Sequence, residues 1–219
     1  MLCASIRDLA ERYGLVVVEK PGRFREERNF ELWLSGSRLL VAKCFNGRPP
    51  YYARWIEVFA VNNLIETGEG TFVFAGSALE RELLEALAGE LKGGELMYIE
   101  YGYDKETERL LRLGLPPHVT RLGFLLLRNG FTVLKDFYIP EGFMEGEAKL
   151  QGEKPASADD ERRHLARVVE EVERALPRLK RGAGEPAYRS WMLRALERAE
   201  AILQGLEPKL SFTRGSGKL

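Results

Sequence analysis

The chain has 219 residues, 45% hydrophobic and 30% charged, enough apolar material for one domain with an appendage and too much for a disordered chain. Thirty-three basic residues balance thirty-three acidic ones, so bulk charge points neither to nucleic acid nor to an anionic membrane surface as partner. Two cysteines and two histidines are too few for a disulfide framework or a spaced metal-ligand set, and no apolar run reaches the length of a membrane span.

The N-terminus, "MLCASIRDLAERYG", is charged early and lacks the apolar core of a signal peptide, so a soluble, cytoplasmic chain is expected. Arg outnumbers Lys and amides are scarce, a composition that resembles proteins from thermophiles. Ile6, Leu9, Ala10 and Tyr13 share a helical face, which predicts a short amphipathic helix over 4–13, ended by Gly14. A strand follows at Leu15 to Glu19, then a charged loop with Pro21 and Gly22. Asn29 to Phe45 reads as a hairpin, with Phe30, Leu32 and Leu34 on one face of its first strand. Beyond the break at "NGRPP", "YYARWIEVFAVN" reads as a third strand with Trp55, Glu57, Phe59 and Val61 on one face, and "TFVFA" as a short fourth.

Ser77 and Glu80 fit a capping box, and Leu79, Leu83, Leu84, Leu87 and Leu91 form the stripe of the helix it opens. "ELMYIEYGY" reads as a buried strand and 105–113 as a polar helical turn. Pro116 and Pro117 are expected to start the next helix, whose stop is Asn129-Gly130. "FTVLKDFYI" is a strand, and "EGFMEGEAKLQGEKP" is expected to add an edge strand. From Ser157 the pattern is helical, with Leu165, Val168, Val172, Leu176 and Leu179 in register, and Pro177 is expected to kink or end that helix. A second helix after Pro186 carries Trp191, Ala195, Ala199, Ile202 and Leu206, giving a helical hairpin. The organisation expected is a domain over 1–154, a helical hairpin over 155–210 and a disordered tail over 211–219. "GSGKL" in that tail lacks the strand and helix a phosphate-binding loop needs.

The order of elements resembles the GNAT acyltransferase superfamily. Its most specific carrier is Leu125-Leu126-Leu127-Arg128-Asn129-Gly130-Phe131, an apolar helix leaving through Gly-Phe into a strand. The chain is also similar to a small group of archaeal proteins. The GNAT likeness implies an α/β (α+β) fold with a mixed, mostly antiparallel central sheet flanked by helices, the C-terminal hairpin being an addition. It implies an acyl-CoA-dependent N-acyltransferase with acetyl-CoA or another acyl-CoA as cofactor. The amine acceptor would be a small molecule or a protein. The cofactor slot would be a splayed pair of parallel strands between "TFVFA" and "ELMYIEY", with its pyrophosphate at Gly76, Ser77, Ala78 and Leu79, since a helix N-terminus offers unpaired N–H groups to an anion. The superfamily's glycine pair and basic residue are missing there. Leu126 stands where a tyrosine often acts as general acid.

Acyl transfer to an amine requires proximity and a base for the amine proton. Glu57 and Glu100 interrupt apolar strands and are the candidate bases, and Tyr101, with Tyr103 beside it, is the candidate acid. Strand-edge or ion-pair roles suit the same carboxylates. His118 reads as a cap or surface residue, His164 and Arg121 to Arg128 as solvated helix faces, and Cys44 as a small buried hydrophobe. The lost phosphate signature also suits an alternative, a non-catalytic GNAT-like binding or assembly module whose hairpin mediates homodimer or partner contacts. An unrelated α+β fold with a small-molecule site is the third reading.

Overall fold

The computed structural model describes residues 2–47, 53–100, 104–138 and 148–211. The first helix, α1 (Ser5–Arg12), leads into β1 (Val16–Pro21), and β2 (Glu27–Leu34) and β3 (Ser37–Phe45) form the expected hairpin. Its turn is Ser35-Gly36, both at positive φ, the backbone that keeps a tight hairpin in step with strand twist. β4 (Trp55–Ala60) completes an antiparallel run of four strands. Among the described residues, the short strands β5 (Leu64–Thr67) and β6 (Gly70–Val73) then pair only with each other, as a separate two-stranded sheet. "TFVFA" therefore does not enter the main sheet. Helix α2 (Ala78–Glu90) follows, and β7 (Glu95–Glu100) returns parallel to β4.

The main sheet has seven strands in the order β1-β2-β3-β4-β7-β9-β8, with β8 (Val133–Tyr138) and β9 (Ala148–Glu153) at its far side. β9 is antiparallel to both β7 and β8. The segment read as an edge strand is thus internal, and β8 is the edge. Local sequence carries no information on which strand completes which ladder, because register is set by partners distant in the chain. All pairings described in this sheet are antiparallel except β4 with β7.

Apolar residues of one sheet face, including Phe30, Ala42, Val58, Tyr98 and Leu150, pack with α1, α2 and the α4 helix (Arg121–Arg128) in one core. Two devices hold α1 there. Glu90, at the end of α2, accepts hydrogen bonds from the Ala4 and Ser5 amides at 3.2 and 2.9 Å and from Ser5 Oγ at 2.5 Å. This supplies the cap that α1 lacks in its own sequence. Cys3 and Cys44 form a disulfide that bolts the start of α1 to the end of β3. Two cysteines were too few for a framework, yet these two meet, and Cys44 is bonded rather than a free small hydrophobe.

Helix α3 (Lys105–Arg112) matches expectation, but Pro116 and Pro117 do not start α4. A single 3-10 turn at Pro117–Val119 comes first, and Thr120 caps α4 by accepting from the Gly123 amide at 3.1 Å. Thr120 Oγ1 also donates to the Pro117 carbonyl at 2.7 Å. A β-carbon at Gly123 would collide with that carbonyl, so the turn and the helix close on a residue with no side chain. The helix ends as expected at Asn129-Gly130, with Gly130 at φ 88°.

The hairpin α5 (Ala158–Gly182) and α6 (Arg189–Ser211) forms a second apolar cluster with Leu110, Leu115 and Val119 of the domain. α5 runs unbroken through Pro177, against expectation. A proline inside a helix costs about 3 kcal/mol, and the buried stripe Leu165, Val168, Val172, Ala175 and Leu179 outweighs it, since packing rather than propensity supplies most helix stability. Polar ties fasten the hairpin further. Arg194 and Arg198 both reach Glu106 of α3, the former at 2.6 Å, and the Arg109 guanidinium lies 4.3 Å from the Trp191 ring centroid. Among the described residues, no helix is long and apolar enough to cross a membrane.

Candidate functional site

The β4–β7 pair is where an otherwise antiparallel sheet changes sense, and α2 is the crossover that makes the change possible. Pairing is continuous from Trp55 opposite Glu95 to Ala60 opposite Glu100. The pair therefore uses β4, two strands before β6, the strand expected to form it, and it does not splay along its described length. Asn63, just beyond β4, is 7% exposed, accepts from Phe74 N–H through its carbonyl at 2.8 Å and from Ala75 N–H through Oδ1 at 2.6 Å. Those two bonds bring the chain back from the β5–β6 hairpin and set the start of α2 at the carboxyl end of β4.

At that start, Ser77 Oγ accepts from Glu80 N–H at 3.1 Å, half of the capping box. The other half is displaced by one residue, because the Glu80 carboxylate accepts from Gly76 N–H at 2.6 Å. Gly76 and Ala78 are exposed, and Leu79 is buried. As the first helical residues, Ala78 and Leu79 have amides with no intrahelical acceptor. Of the four positions expected to hold a pyrophosphate, the Gly76 amide is already bound to the Glu80 carboxylate and the Ser77 amide to the Phe74 carbonyl at 2.9 Å, which leaves the Ala78 and Leu79 amides to suit an anion. Leu79 also lines a groove of about 640 Å³ bounded by Tyr13, Leu15, Leu34, Phe72 and the 67–70 turn of the β5–β6 hairpin.

Glu80 has a second set of partners. Its side chain is 1% exposed and receives Tyr98 Oη at 2.5 Å and the Arg121 guanidinium at 2.7 and 3.2 Å. Arg121 Nε reaches Asp104, itself 2% exposed, at 3.3 Å, and Asp104 caps α3 by accepting from the Thr107 amide and hydroxyl at 3.1 and 2.6 Å. Two buried carboxylates bridged by one guanidinium join α2, β7, α3 and α4. Arg121 is therefore not part of a solvated face, and bidentate pairing of this kind is what arginine's planar fork favours.

Glu57 is half-buried on β4 and pairs with Lys43 of β3 at 3.3 Å. The Lys43 ammonium also lies 4.9 Å from the Phe59 ring centroid. Glu100 ends β7, opposite Ala60 and Ala148, and strand alternation puts positions 57 and 100 on opposite faces of the sheet. The Glu100 side chain lies outside the described residues. Tyr101 and Tyr103 lie outside the described residues, as do Arg48, Tyr51 and Tyr52. Leu126 is fully buried, as an apolar residue at that position should be.

The histidines depart most from expectation. His118 is 4% exposed, and its Nε2 donates to the Thr132 carbonyl at 3.1 Å. His164 is half-buried, with Nδ1 3.4 Å from Thr132 Oγ1. Both line one cavity of about 130 Å³ where α5 meets the start of β8. A histidine after two prolines reads as surface; only the docking of the hairpin buries it.

A model of the family described as a protein of unknown function, DUF1122, matches residues 11–179. The chain belongs to the DUF1122 family. A crystal structure of a protein of unknown function from Aquifex aeolicus VF5 is 38% identical, covering 82% of this chain and 88% of that one, with a TM-score of 0.63. The DUF1122 fold thus extends over most of both chains. The GNAT domain of S. lividans PAT (10% identity, 61% and 64% coverage, TM-score 0.26) and a GNAT-family acetyltransferase from Streptococcus pneumoniae (14%, 60% and 68%, 0.29) also align. At those scores they carry no argument about this chain. No curated protein matches it. The archaeal likeness expected from the sequence finds no support in these relatives.

Proposed function

We propose that this DUF1122 protein transfers an acyl group from an acyl-CoA thioester to an amine. The observation that carries the reading is the parallel β4–β7 pair with the N-terminus of α2 standing at the carboxyl end of β4. A change of strand sense at the centre of a sheet is where α/β proteins gather ligands, and a helix N-terminus facing it favours an anion. The Ala78 and Leu79 amides would hold the pyrophosphate. The Gly76 amide, bound to Glu80, and the Ser77 amide, bound to Phe74, would not. Acyl-CoA, when bound, would supply an activated thioester carbonyl and leave as the coenzyme A thiolate. In transfer, the amine nitrogen forms the new C–N bond, the C–S bond breaks, and the amine's proton must leave to a base. Glu57, on the sheet face opposite the one packed on α2, is the candidate base on the parallel pair, with Glu100 and Tyr101 as the other candidate proton-carrying groups. The groove beside Leu79 is of a size that takes a small-molecule amine.

Calorimetry of the full chain with acetyl-CoA tests the first half of this reading. Binding below millimolar is expected, and no heat at millimolar ligand overturns it. Thiol release from acetyl-CoA against a panel of primary amines tests the second half. Glu57→Gln should lower turnover without weakening acetyl-CoA binding.

A further inference from the structure

The cavity between His118 and the hairpin lies away from the proposed acyl-transfer site. Val133 is in register with Glu153 and, through it, with Glu95, the first residue of β7. The start of α2 lies instead at the carboxyl end of β4. Six residues of strand, about 20 Å at 3.3 Å per residue, separate the two ends.

A carbonyl oxygen can only accept, so the bond to Thr132 fixes the proton of neutral His118 on Nε2. Nδ1 is then a bare acceptor. It is buried and has no hydrogen-bond partner among the described residues. Glu171 Oε2 of α5 stands 3.8 Å away and is also an acceptor. Two acceptors facing each other at this distance, one of them buried, are stabilised by a donor shared between them. The rest of the lining includes Arg167 and His164, which leaves Glu171 as the negative charge of the cavity. Its volume of about 130 Å³ equals roughly four water molecules at ~30 Å³ each.

From this geometry we infer that the cavity between His118 and Glu171 is a binding site for a small primary ammonium compound. Its N–H groups are shared between His118 Nδ1 and the Glu171 carboxylate, and its positive charge is balanced by Glu171. A primary ammonium has the three donors and single charge that the two facing acceptors lack. A quaternary ammonium has the charge and no donor. Burial holds the imidazole neutral, lowering its pKa from the ordinary 6.5, which keeps the Nδ1 lone pair available at neutral pH.

The test is a titration of the full chain with methylammonium chloride at constant ionic strength. It is read by the ring 15N resonances of His118 and by thermal unfolding. Tetramethylammonium serves as the donor-free control. The inference expects a saturable shift of the His118 Nδ1 resonance and a rise in Tm with methylammonium only, both lost in Glu171→Gln. Glu171 is 48% exposed, so that variant folds. Its amide supplies the missing donor, and the variant's own Nδ1 resonance should already sit near the liganded position. Three outcomes overturn the proposal: no saturable shift, an equal response to tetramethylammonium, or an unchanged response in Glu171→Gln. The first means that Nδ1 is satisfied by water alone. None of them bears on acetyl-CoA binding at the other end of the sheet.

Discussion

Reducing the Cys3–Cys44 disulfide should lower the stability of the fold by several kcal/mol without unfolding it at room temperature. The bridge spans a sequence separation of 41. In the chain-entropy account, closing such a loop in the unfolded state removes about 13 cal/mol/K, or roughly 4 kcal/mol at 25 °C. For a chain of this length each kcal/mol moves Tm by about 2–4 °C, so a fall of roughly 8–16 °C is expected. Both cysteines are buried, at 1% and 2% exposure, so serine substitutions would add a cost of their own. Reduction is the cleaner perturbation. The assay is thermal unfolding with and without a strong reductant, beside a thiol count on the denatured, unreduced chain. Two free thiols in that count would refute the pairing. An intact bridge with an unchanged Tm would refute the assignment of its stabilisation to the unfolded state's loop.

Removing the guanidinium with Arg121→Met leaves Glu80 and Asp104 buried without their shared cation. Breaking a buried pair in this way costs about 3–5 kcal/mol, read as a shift in urea midpoint; a loss below 1 kcal/mol would mean that water replaces the arginine. Gly123→Ala forces a β-carbon onto the Pro117 carbonyl and should cost at least the roughly 1–3 kcal/mol typical of overpacking. A neutral result would show that the Pro117–Val119 turn moves freely. His118 makes stability depend on pH. Its folded pKa lies below 6.5 because burial disfavours the charged ring, so on acidification the unfolded chain binds the proton first. Stability from this group is fully present above pH 6.5 and falls as pH drops from there through the folded pKa. Unfolding free energies across that window should lose this slope in His118→Leu, and an unchanged slope would rule His118 out as its source.

Periodicity made most elements legible, because helix stripes and strand alternation are local consequences of which face is buried. Ser77 and Asn129-Gly130 were readable for the same reason, as caps are satisfied within a few residues of chain. What stayed hidden depends on contacts between distant segments. The place of β9 between β7 and β8 is a matter of pairing partners. Pro177 sits inside a helix because the buried stripe of α5 packs with α6 and the domain on either side of it. Glu80 was visible as a capping residue, but not as the carboxylate that Arg121 and Tyr98 reach from other elements. Of the candidate site, Glu57 was placed correctly on its strand face with Trp55 and Phe59. Its partner Lys43 lies on another strand, and the burial of His118 follows from a hairpin that begins some 40 residues later.

The position of β9 also bears on how the chain is made. Synthesis delivers β7 at residues 95–100 and its neighbour β9 only at 148–153. Until then the growing sheet has an open ladder of N–H and C=O groups along β7, a template for pairing with another chain. β8 emerges first but does not serve as a stopgap, since among the described residues its partner is β9. The nascent protein therefore carries its greatest aggregation hazard during one interval of translation, which ends when a single late strand closes the gap and joins β8 to the rest.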